Sequence, residues 1–169
     1  METSRMALKP RRSYEAGHRP KFLVVIDDTD ECGRALYFAA RRAGRVGADL
    51  LLLAVISPAD FQHWLGVGSL MEAEAAEEAG RMLEDAAARA RAIAGIDPQK
   101  AVRTGVKADE ILTLIEEDED ISLLVLAAGA GSDGPGPLVT NLAGAAASFP
   151  IPIAIVPGAL ADADIDALA

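Results

Sequence analysis

Ile121-Ser-Leu-Leu-Val-Leu-Ala127 runs into Gly129-Ala-Gly131-Ser-Asp-Gly134-Pro-Gly136-Pro, and after a short helical stretch comes Ile151-Pro-Ile-Ala-Ile-Val156. Continuous apolar runs rich in β-branched residues, separated by a glycine loop and a helix, are the pattern of strands buried on both faces of a parallel sheet. In a doubly wound sheet such a loop presents backbone N–H groups to an anion at a helix N-terminus. A ligand is therefore expected at this loop.

The same alternation extends towards the N-terminus. Lys21-Phe-Leu-Val-Val-Ile26 is a second buried-strand pattern, ending at Asp27-Asp28-Thr29-Asp30-Glu31, whose short polar and acidic side chains suit the first turn of a helix. That helix runs to about Val46 with Leu36, Ala39, Ala40 and Ala43 inward, and Gly47 stops it. Asp49 to Ser57 is the second strand. A long helix from about Met71 to Ala94 carries Leu83, Ala87, Ala90 and Ala94 as its apolar stripe. Ala101 to Thr104 reads as a short strand, Ala108 to Glu117 as a helix and Leu138 to Ala147 as the last helix. Strands alternating with helices imply right-handed crossovers. The expected fold is a three-layer α/β sandwich, a five-stranded mainly parallel doubly wound sheet with helices on both faces.

About half of the 169 residues are apolar, enough for one domain with a real core. Residues 1–20 form a basic leader containing Arg5, Lys9, Arg11, Arg12 and Arg19, expected to be disordered; residues 21–157 form the domain; residues 158–169 form a flexible acidic tail with Asp162, Asp164 and Asp166. The formal charge of −10 disfavours nucleic acid and anionic membrane as partners. The leader lacks the apolar core of a secretion signal, and no segment approaches the ~18 uninterrupted apolar residues of a membrane span, so a cytoplasmic location is expected.

Cys32 is the sole cysteine, and His18 and His63 stand far apart, which argues against a metal centre and against a Ser-His-Asp triad. The five adjacent acids Glu116-Glu-Asp-Glu-Asp120 read as a solvated run. Phe61-Gln-His-Trp-Leu65 is an apolar connection that reads as aromatics tucked against the sheet, or else as a lid or partner anchor.

Taken in order and spacing, Val24-Val-Ile-Asp-Asp28, Leu53-Ala-Val-Ile56, Arg103-Thr-Gly105 followed by Asp109-Glu-Ile111, and Leu124-Val-Leu through Pro150-Ile-Pro-Ile-Ala-Ile-Val156 resemble the universal stress protein family over about Lys21 to Pro157. The resemblance implies an adenine nucleotide, ATP or AMP, with or without Mg2+, between the ends of the first and fourth strands. The residues it places there are Ile26, Asp27, Val55, Gly105, Gly129, Gly131, Ser132, Gly134, Gly136 and Thr140. A carboxylate at Asp27 suits ribose hydroxyls, and equally a helix cap. Val55 matches a position whose backbone meets the adenine edge, and Gly105 a family glycine.

The family's phosphate loop has a glycine, two residues, a second glycine, nine residues, then glycine and a hydroxyl residue. Here Ala127 occupies the first glycine position, Val139 the late one and Thr140 the hydroxyl position, and the interval is about one residue short. Side chains at the glycine positions restrict φ and hold the backbone away from a phosphate. Pro135 and Pro137 remove donors, Asp133 adds negative charge, and no P-loop type lysine is near, so catalysis is not expected beyond a slow ATPase at most. Two readings stand: a dimeric nucleotide sensor, and a nucleotide-free interaction module, each with an unidentified protein partner. The resemblance also implies a homodimer through the last strand, using Ile151, Ile153, Ile155 and Val156, because an apolar edge needs covering.

Overall fold

The computed structural model describes residues 9–58 and 68–169. The Phe61 to Leu65 stretch and His63 lie outside the described residues, as does Arg5 of the leader. The elements follow in the order β1 (Lys21–Val25), α1 (Cys32–Val46), β2 (Asp49–Ile56), α2 (Gly68–Ala94), β3 (Gln99–Thr104), α3 (Lys107–Glu117), β4 (Ile121–Ala128), α4 (Pro137–Gly144), β5 (Ile153–Pro157) and α5 (Asp162–Leu168). A 3-10 turn at Ala146–Ser148 follows α4.

All five strands are parallel, in the order β3-β2-β1-β4-β5. The chain leaves β1 towards β2 on one side and returns to β4 on the other, so the topological switch point lies between β1 and β4. Alternate strand residues serve opposite layers. Phe22, Val24, Leu50, Leu52 and Val125 pack with α1, α2 and α5, whereas Leu23, Val25, Leu51, Leu53 and Leu124 pack with α3 and α4. Leu23, Leu52 and Leu124 are fully buried, which is why the strands read as unbroken apolar runs.

Two element boundaries depart from the sequence reading for a hydrogen-bonding reason. β5 begins at Ile153 rather than Ile151, because Pro150 and Pro152 have no N–H to give; Pro152 still accepts from Leu124 N at 3.0 Å. β3 starts earlier, at Gln99, where it pairs with Leu51. Gly47, with φ of 75°, ends α1 and donates its N–H to Ala43 O at 2.9 Å.

The segments expected to lack structure are corrected where they are described. In the leader, Arg11 donates to the carbonyls of Ile115, Asp118 and Ile121 at 2.8, 3.1 and 3.3 Å, and Ser13 is buried. Lys21 pairs with Asp118 at 2.7 Å, Arg12 N donates to Glu119 O at 3.0 Å, and His18 Nδ1 lies 2.7 Å from Asp120 Oδ1. The acidic run at the exit of α3 is therefore not simply solvated: its last three members hold residues 9–21 against the starts of the strands. A guanidinium on the C-terminal carbonyls of α3 also complements that helix's dipole.

The tail is a packed helix. Ile165 of α5 is fully buried, Arg34 pairs with Asp162 at 2.7 Å, and Arg41 with Asp166 at 2.8 Å. Tyr37 donates to Asp166 at 2.9 Å and lies beneath both Arg34 and Arg41, whose guanidinium carbons stand 5.6 and 5.5 Å from its ring centre. The acids that read as a fraying signal match a basic row along α1. No helix among the described residues is long and apolar enough to cross a membrane.

Candidate functional site

At the carboxyl ends of β1 and β4 the two strands diverge around a narrow cleft of about 100 Å3. Val25, Ala35, Leu126, Leu138 and Val139 form its apolar walls, and Asp27, Thr29, Glu31, Cys32 and Lys107 its polar lining. Beyond Gly136 the cleft opens into a shallow basin of about 470 Å3, lined by Asp30, Glu31, Asp133, Gly158 and the glycine loop. Glu31, Gly136 and Pro137 border both spaces.

The β1 side of the cleft is set by the turn into α1. Asp27 Oδ1 accepts from Thr29 N at 3.0 Å and from Thr29 Oγ1 at 2.6 Å, so the carboxylate closes a local turn and does not cap the helix. Its other oxygen lies 3.6 Å from Lys107 Nζ. Cys32 forms the floor: its Sγ accepts from Asp27 N at 3.5 Å and donates to Val25 O at 3.6 Å. Burial pushes the Cys32 thiol up from its ordinary value, and the negative charges of Asp27 and Glu31 push the same way.

The glycine loop forms the other wall. Gly134 and Gly136 adopt φ of 84° and 104°, which a Cβ would strain. Several of the loop's donors are engaged within it: Gly129 N to Pro135 O at 3.0 Å, Gly134 N to Gly131 O at 3.3 Å, and Thr140 N to Gly136 O at 3.1 Å. The Thr140 hydroxyl also donates to Gly136 O, at 2.9 Å. Val139 is buried among the α3/α4 core residues.

The expected site residues thus part company. Asp27 and Gly136 line the cleft, and Gly129, Gly131, Gly134 and Gly136 line the basin. Ser132 and Thr140 are exposed nearby on the loop and on α4. Ile26 is buried towards α1 and α2, with its N–H given to Leu53 O at 2.7 Å, and Val55 packs against the α3-side core. At Gly105 a methyl group would come within 2.5 Å of Glu110 Oε1, so the close approach that favours glycine is to the chain's own side chain. Lys107 and Glu31 were not read from the sequence. A lysine at a helix start and a glutamate before one look like surface residues until the sheet brings both to one crevice.

The last strand presents a free edge. Ile151 and Val156 are buried in the two core layers, so they cannot meet a partner; Ile155 is 41% exposed and Ile153 half-buried.

This order of strands, with a glycine loop and crevice at the β1/β4 switch point, agrees with a comparison across known families, in which the universal stress protein family matches residues 18–157. The chain belongs to the universal stress protein family. Among solved structures it is similar to universal stress protein UspA from Lactobacillus plantarum, with 19% identity, a TM-score of 0.65, and 81% of this chain and 97% of that one covered. It is similar also to a universal stress protein in complex with cAMP, with 20% identity, a TM-score of 0.60, and 81% and 96% of the chains covered. A third is the universal stress protein from Archaeoglobus fulgidus in complex with dAMP, with 16% identity, a TM-score of 0.55, and 81% and 96% covered. A comparison with curated proteins finds no match. At these identities the likeness to the solved structures establishes the universal stress protein fold.

Proposed function

We propose that this universal stress protein binds an adenine nucleotide in the crevice between β1 and β4, and acts in the cytoplasm as a homodimeric stress sensor or regulator whose surface changes for a protein partner. The observation that carries the reading is the cleft at the switch point, where Asp27, apolar walls from Val25 and Leu126, and a glycine loop face one another. Two of its structural neighbours were solved with cAMP and dAMP. Lys107 lines the cleft with its Nζ 3.6 Å from Asp27. The protein acts by binding and not by turnover, since among the described residues no lysine or arginine lines the glycine loop to stabilise a transferring phosphoryl group. Dimerisation uses the free edge of β5 with Ile155 and Ile153.

A second reading, an interaction module that binds no nucleotide, draws on the narrowness of the cleft. Pockets for ligands of this size hold roughly 300–1,000 Å3, against about 100 Å3 here. Mass spectrometry of small molecules released by denaturing the purified protein, followed by calorimetry with adenosine and AMP, separates the two. Bound nucleotide near one per chain, or calorimetric binding lost in Asp27→Ala, supports the sensor. An empty protein that binds neither compound, and gains binding only in Ala127→Gly/Val139→Gly, supports the module.

A further inference from the structure

Resting on the nucleotide reading above, we infer that the crevice selects an adenine nucleotide carrying a single phosphate group and turns away the polyphosphate, through the three carboxylates of Asp30, Glu31 and Asp133. A nucleotide whose phosphate meets the glycine loop carries any phosphate chain past Gly136 into the adjoining basin, which shares Glu31, Gly136 and Pro137 with the cleft. Among the described residues that basin is lined by three acids and by no lysine, arginine or histidine. None of the three acids forms an ion pair with a described residue, and the N-terminal end of α1, with Glu31 at its N-cap position, is what stands beside them. The one basic side chain on the cleft, Lys107, stands at the Asp27 wall and not at the loop.

Glu31 is the member nearest the loop. Its carboxylate lies over the glycine loop, with Oε1 3.4 Å from where a Cβ on Gly129 would stand, and its own Cβ is 3.2 Å from the same point on Gly158. It therefore stands beside any phosphate placed on the loop. Asp30 and Asp133 are exposed on either side of it.

Backbone compensation is reduced as well. Pro135 and Pro137 have no N–H, and the N–H groups of Gly129 and Gly134 already donate to carbonyls of the loop. Each further phosphate adds negative charge to a basin lined by the three carboxylates, and such repulsion reaches over a Debye length of about 8–10 Å. The expected penalty is about tenfold in Kd, ~1.4 kcal/mol, between AMP and ATP.

Calorimetry with adenosine, AMP and ATP, in the absence of divalent cations, tests this on the parent and on the near-isosteric variant Asp30→Asn/Asp133→Asn, whose two sites line the basin and not the cleft. The expected result is AMP about tenfold tighter than ATP in the parent, a gap that narrows as salt is raised and narrows in the variant, with adenosine affinity unchanged. The parent's salt dependence decides the matter even if the variant does not fold. ATP binding as tightly as AMP in the parent, or a gap indifferent to salt and to the variant, overturns the inference. So does magnesium closing the gap in the parent alone, since the acids would then be holding a metal for ATP. A parent that binds neither adenosine nor AMP removes the nucleotide reading itself and this inference with it.

Discussion

The two ends of the sheet treat charge in opposite ways. At the strand starts, Arg11, Arg12, His18 and Lys21 meet Asp118, Glu119, Asp120 and the carbonyls at the exit of α3, and the acids there have partners. At the strand ends, Asp30, Glu31 and Asp133 surround a glycine loop without a cation against them among the described residues, and Asp27 has only Lys107, at 3.6 Å. Partnered charge in a half-buried setting fixes chain segments in place. Unpartnered charge around a cavity leaves a field for something else to feel. The difference separates an end where charge fixes the chain from the end where the ligand is proposed, using the same residue types.

The largest effect is expected at the paired end. Arg11→Ala removes a guanidinium that donates to three carbonyls and offsets the dipole of α3, and should cost about 2–3 kcal/mol in chemical denaturation. For a chain of this length that is roughly 4–12 °C in melting temperature. Arg12→Ala, whose pair with Glu15 is exposed, should cost far less. Equal costs for the two would show that the carbonyl contacts of Arg11 add nothing beyond an exposed ion pair.

Next comes the free edge of β5. Ile155→Lys places a charge on an exposed strand edge and should weaken self-association by about tenfold or more, seen by sedimentation. A dimer of undiminished strength would move the interface elsewhere. Substitution of Ile151 or Val156, by contrast, should lower stability before it affects association, because both are buried.

A smaller effect belongs to the floor of the cleft. Burial raises the Cys32 thiol pKa in the folded chain above its ordinary value of 9.0. The unfolded chain therefore loses this proton first. The contribution is fully present below pH 9.0 and is lost as the pH rises from there through the folded value, by at most ~1.4 kcal/mol per pH unit. Cys32→Ala should flatten the alkaline side of the stability profile by that amount. Alkylation of Cys32 by iodoacetamide at neutral pH should run slower than that of a free thiol, and slower still with ligand in the cleft.

Smallest of all should be the stability change in Asp133→Asn, within about 0.5 kcal/mol, since its carboxylate is exposed and holds nothing. A cost comparable to that of Arg11→Ala would mean that the strand-end acids are structural after all.

Much of this was legible in the chain. The unbroken apolar runs at Lys21 to Ile26, Asp49 to Ile56 and Ile121 to Ala127 could only be strands buried on two faces, and Gly47 marked a helix end that it does form. The glycine loop drew attention to the end of the sheet where the cleft lies, and Ala127 and Val139 marked its departures from the family pattern. The leader, the tail and Lys107 were misjudged or passed over, each for the same reason. Arg11 lies more than a hundred residues from the carbonyls it holds, Asp166 lies 125 from Arg41, and Lys107 stands 80 positions beyond Asp27.

Sequence alone determined the alternation of strands and helices, the family, and the strand-end loop where a ligand is expected, because periodicity and turn chemistry act over a few neighbouring residues. Only the tertiary structure decided which charges are neutralised, which face the cleft, and which apolar residues of β5 remain outside. Coulombic and packing contacts depend on distance in space, and the parallel crossovers bring together residues whose local sequence carries no mark of the meeting.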